Sequence, residues 1–375
     1  KLKSSTVGIS GTHGKTTTST LIAQLLRGAG HDPWWCIGGE SHALGGVAGA
    51  GQGAAIVVEA DESDGTLAYY HPEIAVVTNI EFDHMEHFAS EAEFEACFET
   101  FISQTRRCVV YCADDERAAR LCEGLPKGRS YGFCEAAELR GELLTADGNG
   151  FPQLRVIRGG EALGVVSLPV PGHHNALNAL AAIGVCLELG LSFDAIARAM
   201  AGVALPKRRF EVVCQTKGVT VVSDYAHHPS EIAALIQTAR QQHSGRLLAV
   251  FQPHRFTRTR ALGAAFPPAF SGVDQLVLTP VYAASEQPLA GGRSGDLYAQ
   301  FRAGGSAAPG DAPTDAPEVL LATSLDQAWG YLRRELRDGD MLLVIGAGDV
   351  EKIGAWSKVA FEDGVGGVAT SELRL

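Results

Sequence analysis

One stretch near the start narrows the possible folds more than any other. "STVGIS" (5–10) has strand character, "GTHG" (11–14) is a glycine turn, and "KTTTSTLIAQLL" (15–26) is helical, with Leu21, Ile22 and Leu25 on one face. A strand, a glycine turn and a helix N-terminus in that order form an anion cradle. The backbone N–H groups and the positive end of the helix dipole converge on one point. The common phosphate loop reads G-x-x-x-x-G-K-[ST]. Here the position five residues before Gly14 is Ile9, and Gly8, Gly11 and Gly14 are spaced by three instead. Read as a phosphate loop, it puts Gly11, Thr12, Gly14, Lys15, Thr16 and Thr17 around a nucleotide triphosphate. Lys15 lies against the β/γ-phosphates and the Thr16 hydroxyl on Mg²⁺. Lys15→Ala is then expected to abolish phosphoryl transfer and leave the fold intact.

The remainder of the chain is consistent with an α/β enzyme. Its 375 residues suggest two domains. "AAIVVEA" (54–60), "IAVVTNI" (74–80) and "RCVVYCA" read as buried parallel strands, and 90–104 as a helix burying Phe94, Cys97, Phe98 and Phe101. Between 138 and 170 the rhythm changes to short strands, with turn signals at Asp147-Gly148 and Gly159-Gly160, so an antiparallel meander is expected there. "HHNALNALAAIGVCLELG" (173–190) is helical. A boundary is expected near Pro206, which is read as breaking the preceding helix, so the domains are 1–206 and 207–375. A hairpin around Lys217-Gly218 opens the second domain. Strands at 246–251, 274–280 and 341–348 follow, and 303–317 reads as a Gly/Ala/Pro/Asp-rich loop.

Charge and cysteine usage exclude several function classes. A net charge of -12 argues against a nucleic-acid partner. No apolar run is long enough for a membrane span. The eight cysteines include no C-x-x-C pair, which argues against a zinc site and for reduced thiols in the cytoplasm.

Two strand ends carry polar clusters, as expected at the crevice of an open α/β sheet. "VVEADESDG" (57–65) places Glu59 at the end of a buried strand. A carboxylate there is costly unless paired or metal-bound, so Glu59 is a Mg²⁺ ligand candidate. Asp61, Glu62 and Asp64 read at least as well as a solvated loop. "TNIEFDHMEHF" (78–88) adds Asn79, Asp83, His84 and His87, with His84 the metal or phosphate candidate and His87 on the surface.

"GTHGKTTT", "EADESD" and "TNIEFDHM" resemble the central ATPase domain of the Mur ligases, the ATP-dependent ligases of peptidoglycan assembly. "PGHHNALNALAA", "PKRRFE", "DYAHHPSEI", "FQPHRFTRT" and "VYAASE" carry the resemblance through nearly the whole chain, most closely to the alanine-adding branch. The family's own loop is G-T-x-G-K-[ST], which accounts for the offset spacing. The resemblance implies a P-loop-type central ATPase domain with a mostly parallel sheet, followed by a C-terminal Rossmann-like α/β domain. It implies ATP with Mg²⁺, two ions, or Mn²⁺ in their place. It implies UDP-N-acetylmuramate and L-alanine as substrates, joined through an acyl phosphate. By motif position, Glu59 and His84 become metal-site residues. His174 and Asn175 contact the nucleotide base, with Asn178 either there or packing. Asp224 and Arg209 lie by ATP. Tyr225, His227, His254, Arg255 and Arg258 form the substrate side, the two arginines holding the alanine carboxylate from a helix start. Arg208 is either an ATP contact or a structural salt bridge, and Arg260 is surface.

Three departures stand out. Ser223 occupies a position where an aspartate is expected. No lysine occurs between Lys15 and Lys127, so the carbamylated lysine of several Mur ligases has no counterpart. The family's UDP-binding domain precedes its loop, and only a few residues stand before the loop here, so either the sequence is a piece of a longer chain or a separate polypeptide supplies that domain. A nucleotide-binding or regulatory module, or an amide ligase with another acceptor, are the alternative readings.

Overall fold

The computed structural model describes residues 5–84, 87–145, 152–216, 218–304 and 316–362. The chain divides into two compact units, Lys1–Lys207 and Arg208–Leu375. The Asp147-Gly148 turn, Lys217 and residues 305–315 of the Gly/Ala/Pro loop lie outside the described residues.

In the first unit β1 (Ser5–Ser10) leads into α1 (Lys15–Gly28), then β2 (Trp34–Ser41), β3 (Gly46–Gly49), β4 (Ala55–Glu59) and β5 (Ile74–Val77). Next come α2 (Glu91–Gln104), β6 (Cys108–Cys112), α3 (Glu116–Cys122) and β7 (Gly128–Gly132). β8 (Leu139–Leu144), β9 (Gln153–Arg158), β10 (Glu161–Ser167), α4 (His173–Glu188) and α5 (Phe193–Met200) complete it. The ten strands form one sheet in the order β10-β9-β8-β7-β6-β5-β1-β4-β2-β3. Its centre is parallel, and the expected meander β8-β9-β10 pairs antiparallel at one edge. α1 buries Leu21, Ile22, Leu25 and Leu26. Ser90 caps α2 by accepting from Glu93 N, and Phe94, Cys97, Phe98 and Phe101 lie buried beneath it.

Strand order explains why the polar clusters meet. β1 lies between β4 and β5, parallel to both, with Ile9 opposite Glu59 and Ser10 opposite Val77. All three strands therefore end on the same side of the sheet, where consecutive crossovers leave a crevice.

The second unit contains β11 (Glu211–Thr216), β12 (Val219–Asp224), α6 (Pro229–Gln242), β13 (Leu247–Phe251), α7 (Phe256–Ala261), α8 (Phe266–Ala269) and β14 (Gln275–Leu278). α9 (Ser294–Gly304), β15 (Glu318–Leu321), α10 (Leu325–Glu335), β16 (Met341–Ile345) and α11 (Glu351–Glu362) follow. The sheet order is β11-β12-β16-β13-β14-β15, parallel apart from the β11–β12 hairpin.

Several expectations need correction. The hairpin β2–β3 and strands β7 and β15 add to the strands expected from the sequence. The 74–80 strand stops at Val77, and Thr78–Ile80 form the loop beyond it. α5 ends at Met200, so Pro206 does not break it.

Candidate active site

The glycine turn is shaped by strain that only glycine relieves. Gly11 and Gly14 have φ of 132° and 84°. A Cβ at Gly11 would sit 2.0 Å from Thr78 Oγ1, and one at Gly14 2.3 Å from Asn178 Oδ1. Gly8 differs. It lies inside β1, where a Cβ would press on the Phe101 ring at 3.3 Å. The segment after β5 grips the turn from one side. Thr12 N donates to Asn79 O (3.1 Å) and His13 N to Asn79 Oδ1 (2.8 Å). Asn79 Nδ2 and Thr78 Oγ1 both donate to His13 O, at 3.0 and 2.6 Å. Asn79 thus braces the turn. α4 closes the other side: Thr18 Oγ1 donates to Asn178 Oδ1 (3.3 Å), and Thr17 is 3% exposed. Asn178 is therefore a packing amide.

Lys15 is buried, and its ammonium is fully engaged. Nζ donates to Gly11 O (2.7 Å), Thr12 O (3.2 Å) and both oxygens of Glu62 (2.8 and 2.9 Å), with Asp61 at 3.6 Å. Glu62 has no solvent exposure, so its reading as a solvated residue is overturned. Burial opposes charge on Lys15, but Glu62, Asp61 and Glu59 together more than offset it and raise its pKa. Burial pushes the Glu62 carboxyl up, and Lys15 pulls it back. Lys15 is half of a buried ion pair, so Lys15→Ala is expected to cost stability as well as phosphate binding.

Thr16 and Glu59 form a second pairing. Thr16 Oγ1 donates to Glu59 Oε1 (3.0 Å), and Gly38 N donates to Glu59 Oε2 (2.7 Å). A hydroxyl and a carboxylate at this distance are hard oxygen donors of the kind Mg²⁺ takes, so the residues present fit that ion. His84, at φ 58°, places Nε2 3.7 Å from Glu62 Oε1 and 3.8 Å from Asp83 Oδ2. His84 thus lies by Glu62, which the sequence reading places in a solvated loop, and by Asp83. His87 is exposed, and Asp64 caps a surface turn at Thr66. His174 and Asn175 stand in the first turn of α4, where Asn175 Nδ2 donates to Pro171 O (2.8 Å).

The second unit gathers its own polar cluster after β12 and β13. Asp224 accepts from Phe210 N (2.7 Å) and Ala226 N (2.8 Å). Burial raises its pKa, against Arg209 and those two N–H groups. Tyr225 lies under the Arg208 and Arg209 guanidiniums, at 4.9 and 5.5 Å from the ring centre. Arg208 Nη1 also donates to Glu351 Oε2 (3.1 Å) and Nη2 to Gly346 O, so Arg208 is a structural link. Ser223 is buried with its hydroxyl unpartnered. Tyr225, His227, His254 and Tyr282 follow one another at 5.7, 5.7 and 5.6 Å, the last pair stacked. Arg258 is 8% exposed, with Nη1 3.4 Å from His254 Nδ1. Burial, aided by His227, Arg258 and Arg255, lowers the His254 pKa to about 3, so its ring is neutral at pH 7. Arg255 is not on the helix as expected. It is the left-handed residue before α7, at φ 67°. Arg260 is exposed.

Known proteins bear on this geometry. Residues 9–186 match the Mur ligase middle domain, and 208–348 match the Mur ligase, glutamate ligase domain. The UDP-N-acetylmuramate–L-alanine ligase of Desulforamulus reducens is 39% identical over 352 residues, 93% of this chain and 74% of that protein. The enzyme of the same name from Nitratidesulfovibrio vulgaris strain DP4 is 42% identical over 356 residues, 93% of this chain and 75% of that protein. Among solved structures, the UDP-N-acetylmuramate–alanine ligase of Thermotoga maritima superposes with a TM-score of 0.78 at 25% identity. That superposition covers 96% of this chain and 76% of the other. Fold, loop and relatives together define an ATP-dependent, ADP-forming ligase. The chain belongs to the Mur ligase family.

No helix of the described residues is long and apolar enough to cross a membrane.

Proposed function

We propose that this protein joins L-alanine to the lactyl carboxylate of UDP-N-acetylmuramate in the cytoplasm, as a step of peptidoglycan precursor synthesis. The observation that carries the reading is the braced glycine turn, with Lys15 and the Thr16–Glu59 pair at the ends of adjacent strands. Identity near 40% to ligases of that name, over 93% of this chain, supports the substrate pair.

A carboxylate and a triphosphate repel each other, so catalysis rests on positioning and on cation supply. On nucleotide binding Lys15 would exchange its contact with Glu62 for the β/γ-phosphates of ATP, beside the turn's N–H groups, with Gly11, Thr12, Gly14 and Thr17 shaping the cradle. Thr16 and Glu59 would hold one Mg²⁺, and Glu62 with His84 a second; Mn²⁺ suits the same oxygen donors. When bound, the ion neutralises charge on the phosphates. A lactyl carboxylate oxygen attacks the γ-phosphorus, ADP leaves, and an acyl phosphate results. The alanine amine then attacks the acyl carbon, and phosphate departs with the former carboxylate oxygen. Arg255 and Arg258 clamp the alanine carboxylate. His254, neutral and next to Arg258, lines that subsite with Tyr225 and His227. Asp224, Arg209, His174 and Asn175 are assigned to the rest of ATP. Recognition of the uridine diphosphate moiety is assigned to a separate domain.

The test is ADP release by the full-length protein with ATP, Mg²⁺ and UDP-N-acetylmuramate, with each amino acid supplied in turn. L-Alanine should stimulate release most strongly. Stronger stimulation by another amino acid would establish a different acceptor, and no release with any would reject ligation.

A further inference from the structure

The "VYAASE" segment (281–286) has no part in the chemistry above, yet it is held in an uncommon conformation. Ala284 and Ser285 have φ of 46° and 74°, two consecutive left-handed residues, neither of them glycine. Such strain persists where the surroundings impose it. Here the surroundings are the segment carrying the arginines. Tyr282 N donates to Pro253 O (2.8 Å), and Arg255 N donates to Tyr282 O (2.9 Å). His254 and Tyr282 form an isolated parallel bridge, with their rings stacked above it.

The strained turn delivers Glu286 to the start of α7. One carboxylate oxygen accepts from Thr257 N (3.0 Å), and the other from Thr257 Oγ1 (2.6 Å). Thr257 lies between Arg255 and Arg258. α7 lacks a cap of its own, since Arg255 at the cap position makes no side-chain cap hydrogen bond. A short helix without a cap frays at its first turn, and that turn carries Arg258.

We propose that Glu286 is a positioning residue for amino-acid binding: it caps α7 from outside the helix and so fixes Arg255 and Arg258 for the substrate carboxylate. This rests on the assignment of those arginines to L-alanine. The charge supports the role. Burial works against the Glu286 carboxylate, but the Thr257 contacts and Arg255 hold its pKa below the ordinary range. The left-handed turn at Ala284 and Ser285 immediately precedes this carboxylate.

The experiment compares Glu286→Ala, Glu286→Gln and Arg258→Ala in the full-length protein, measuring KM for L-alanine and for ATP separately. Glu286→Ala should raise KM for L-alanine by about tenfold or more and leave KM for ATP unchanged, because a charge-assisted cap is lost. Glu286→Gln keeps one oxygen acceptor for Thr257 but not the charge, and should recover only part of that loss. An unchanged KM for L-alanine in Glu286→Ala, or a parallel rise in both KM values, overturns the inference. If Arg258→Ala leaves KM for L-alanine unchanged, the arginine assignment falls and the inference with it. If Arg258→Ala raises it and Glu286→Ala does not, only the inference falls.

Discussion

Replacing Glu62 by Gln tests the buried pair beneath the glycine turn. The substitution preserves shape and removes one charge. Side-chain exposure is 10% for Lys15 and 0% for Glu62, so water cannot replace the lost partner. Breaking a buried pair by removing one member costs about 3–5 kcal/mol. Lys15 keeps its bonds to Gly11 O and Thr12 O, which places the cost at the lower end. For a unit of this size each kcal/mol is worth roughly 2–4 °C, so a Tm loss of roughly 6–12 °C is expected. Lys15→Met should be destabilising too, though less so, because the Glu62 carboxyl, already pushed up by burial, can take a proton. The double variant should lose less than the sum of the two singles, with a coupling of about 1–3 kcal/mol. Differential scanning calorimetry without nucleotide measures all three. A Glu62→Gln Tm close to the parent's, or strictly additive losses, would refute the reasoning.

Two further outcomes follow from the same geometry. A Cβ at Gly38 would lie 2.4 Å from Glu59 Oε1, so Gly38→Ala should displace that carboxylate and weaken metal affinity by about tenfold or more, read by Mn²⁺ titration with ATP present; an unchanged titration would remove Glu59 from the metal site. His254 has a folded pKa of about 3 against an ordinary 6.5. Between those values the unfolded chain binds a proton that the folded chain refuses, so stability is full above the upper value and falls as pH drops through the window. His254→Phe keeps a ring against Tyr282 and should show a smaller Tm loss from neutral pH to about pH 5; identical losses in variant and parent would contradict the assignment.

Local signals explain what could be read from the sequence. The glycine turn was legible because strand, turn and helix are contiguous and the φ values of Gly11 and Gly14 require glycine. The α2 face was legible because Phe94, Phe98 and Phe101 recur at helical spacing. Glu62 was not, because an acidic run after a strand looks solvated unless it is known to fold back beneath Lys15, 47 residues away. The β2–β3 hairpin was hidden by its glycines, which carry no alternating pattern. Arg255 and Arg258 were legible as arginines at a helix start, but the positive φ at Arg255 cannot be inferred from residue type. Arg208 was undecided because its partners, Gly346 and Glu351, lie more than a hundred residues downstream.

The central claim is that an acid is activated by direct phosphoryl transfer on the glycine turn. It is tested most directly by turnover of UDP-N-acetylmuramate labelled with ¹⁸O in its carboxylate, followed by mass analysis of the products. One labelled oxygen in the released inorganic phosphate per turnover is predicted. Label in AMP, or unlabelled phosphate alongside amide product, would contradict the account.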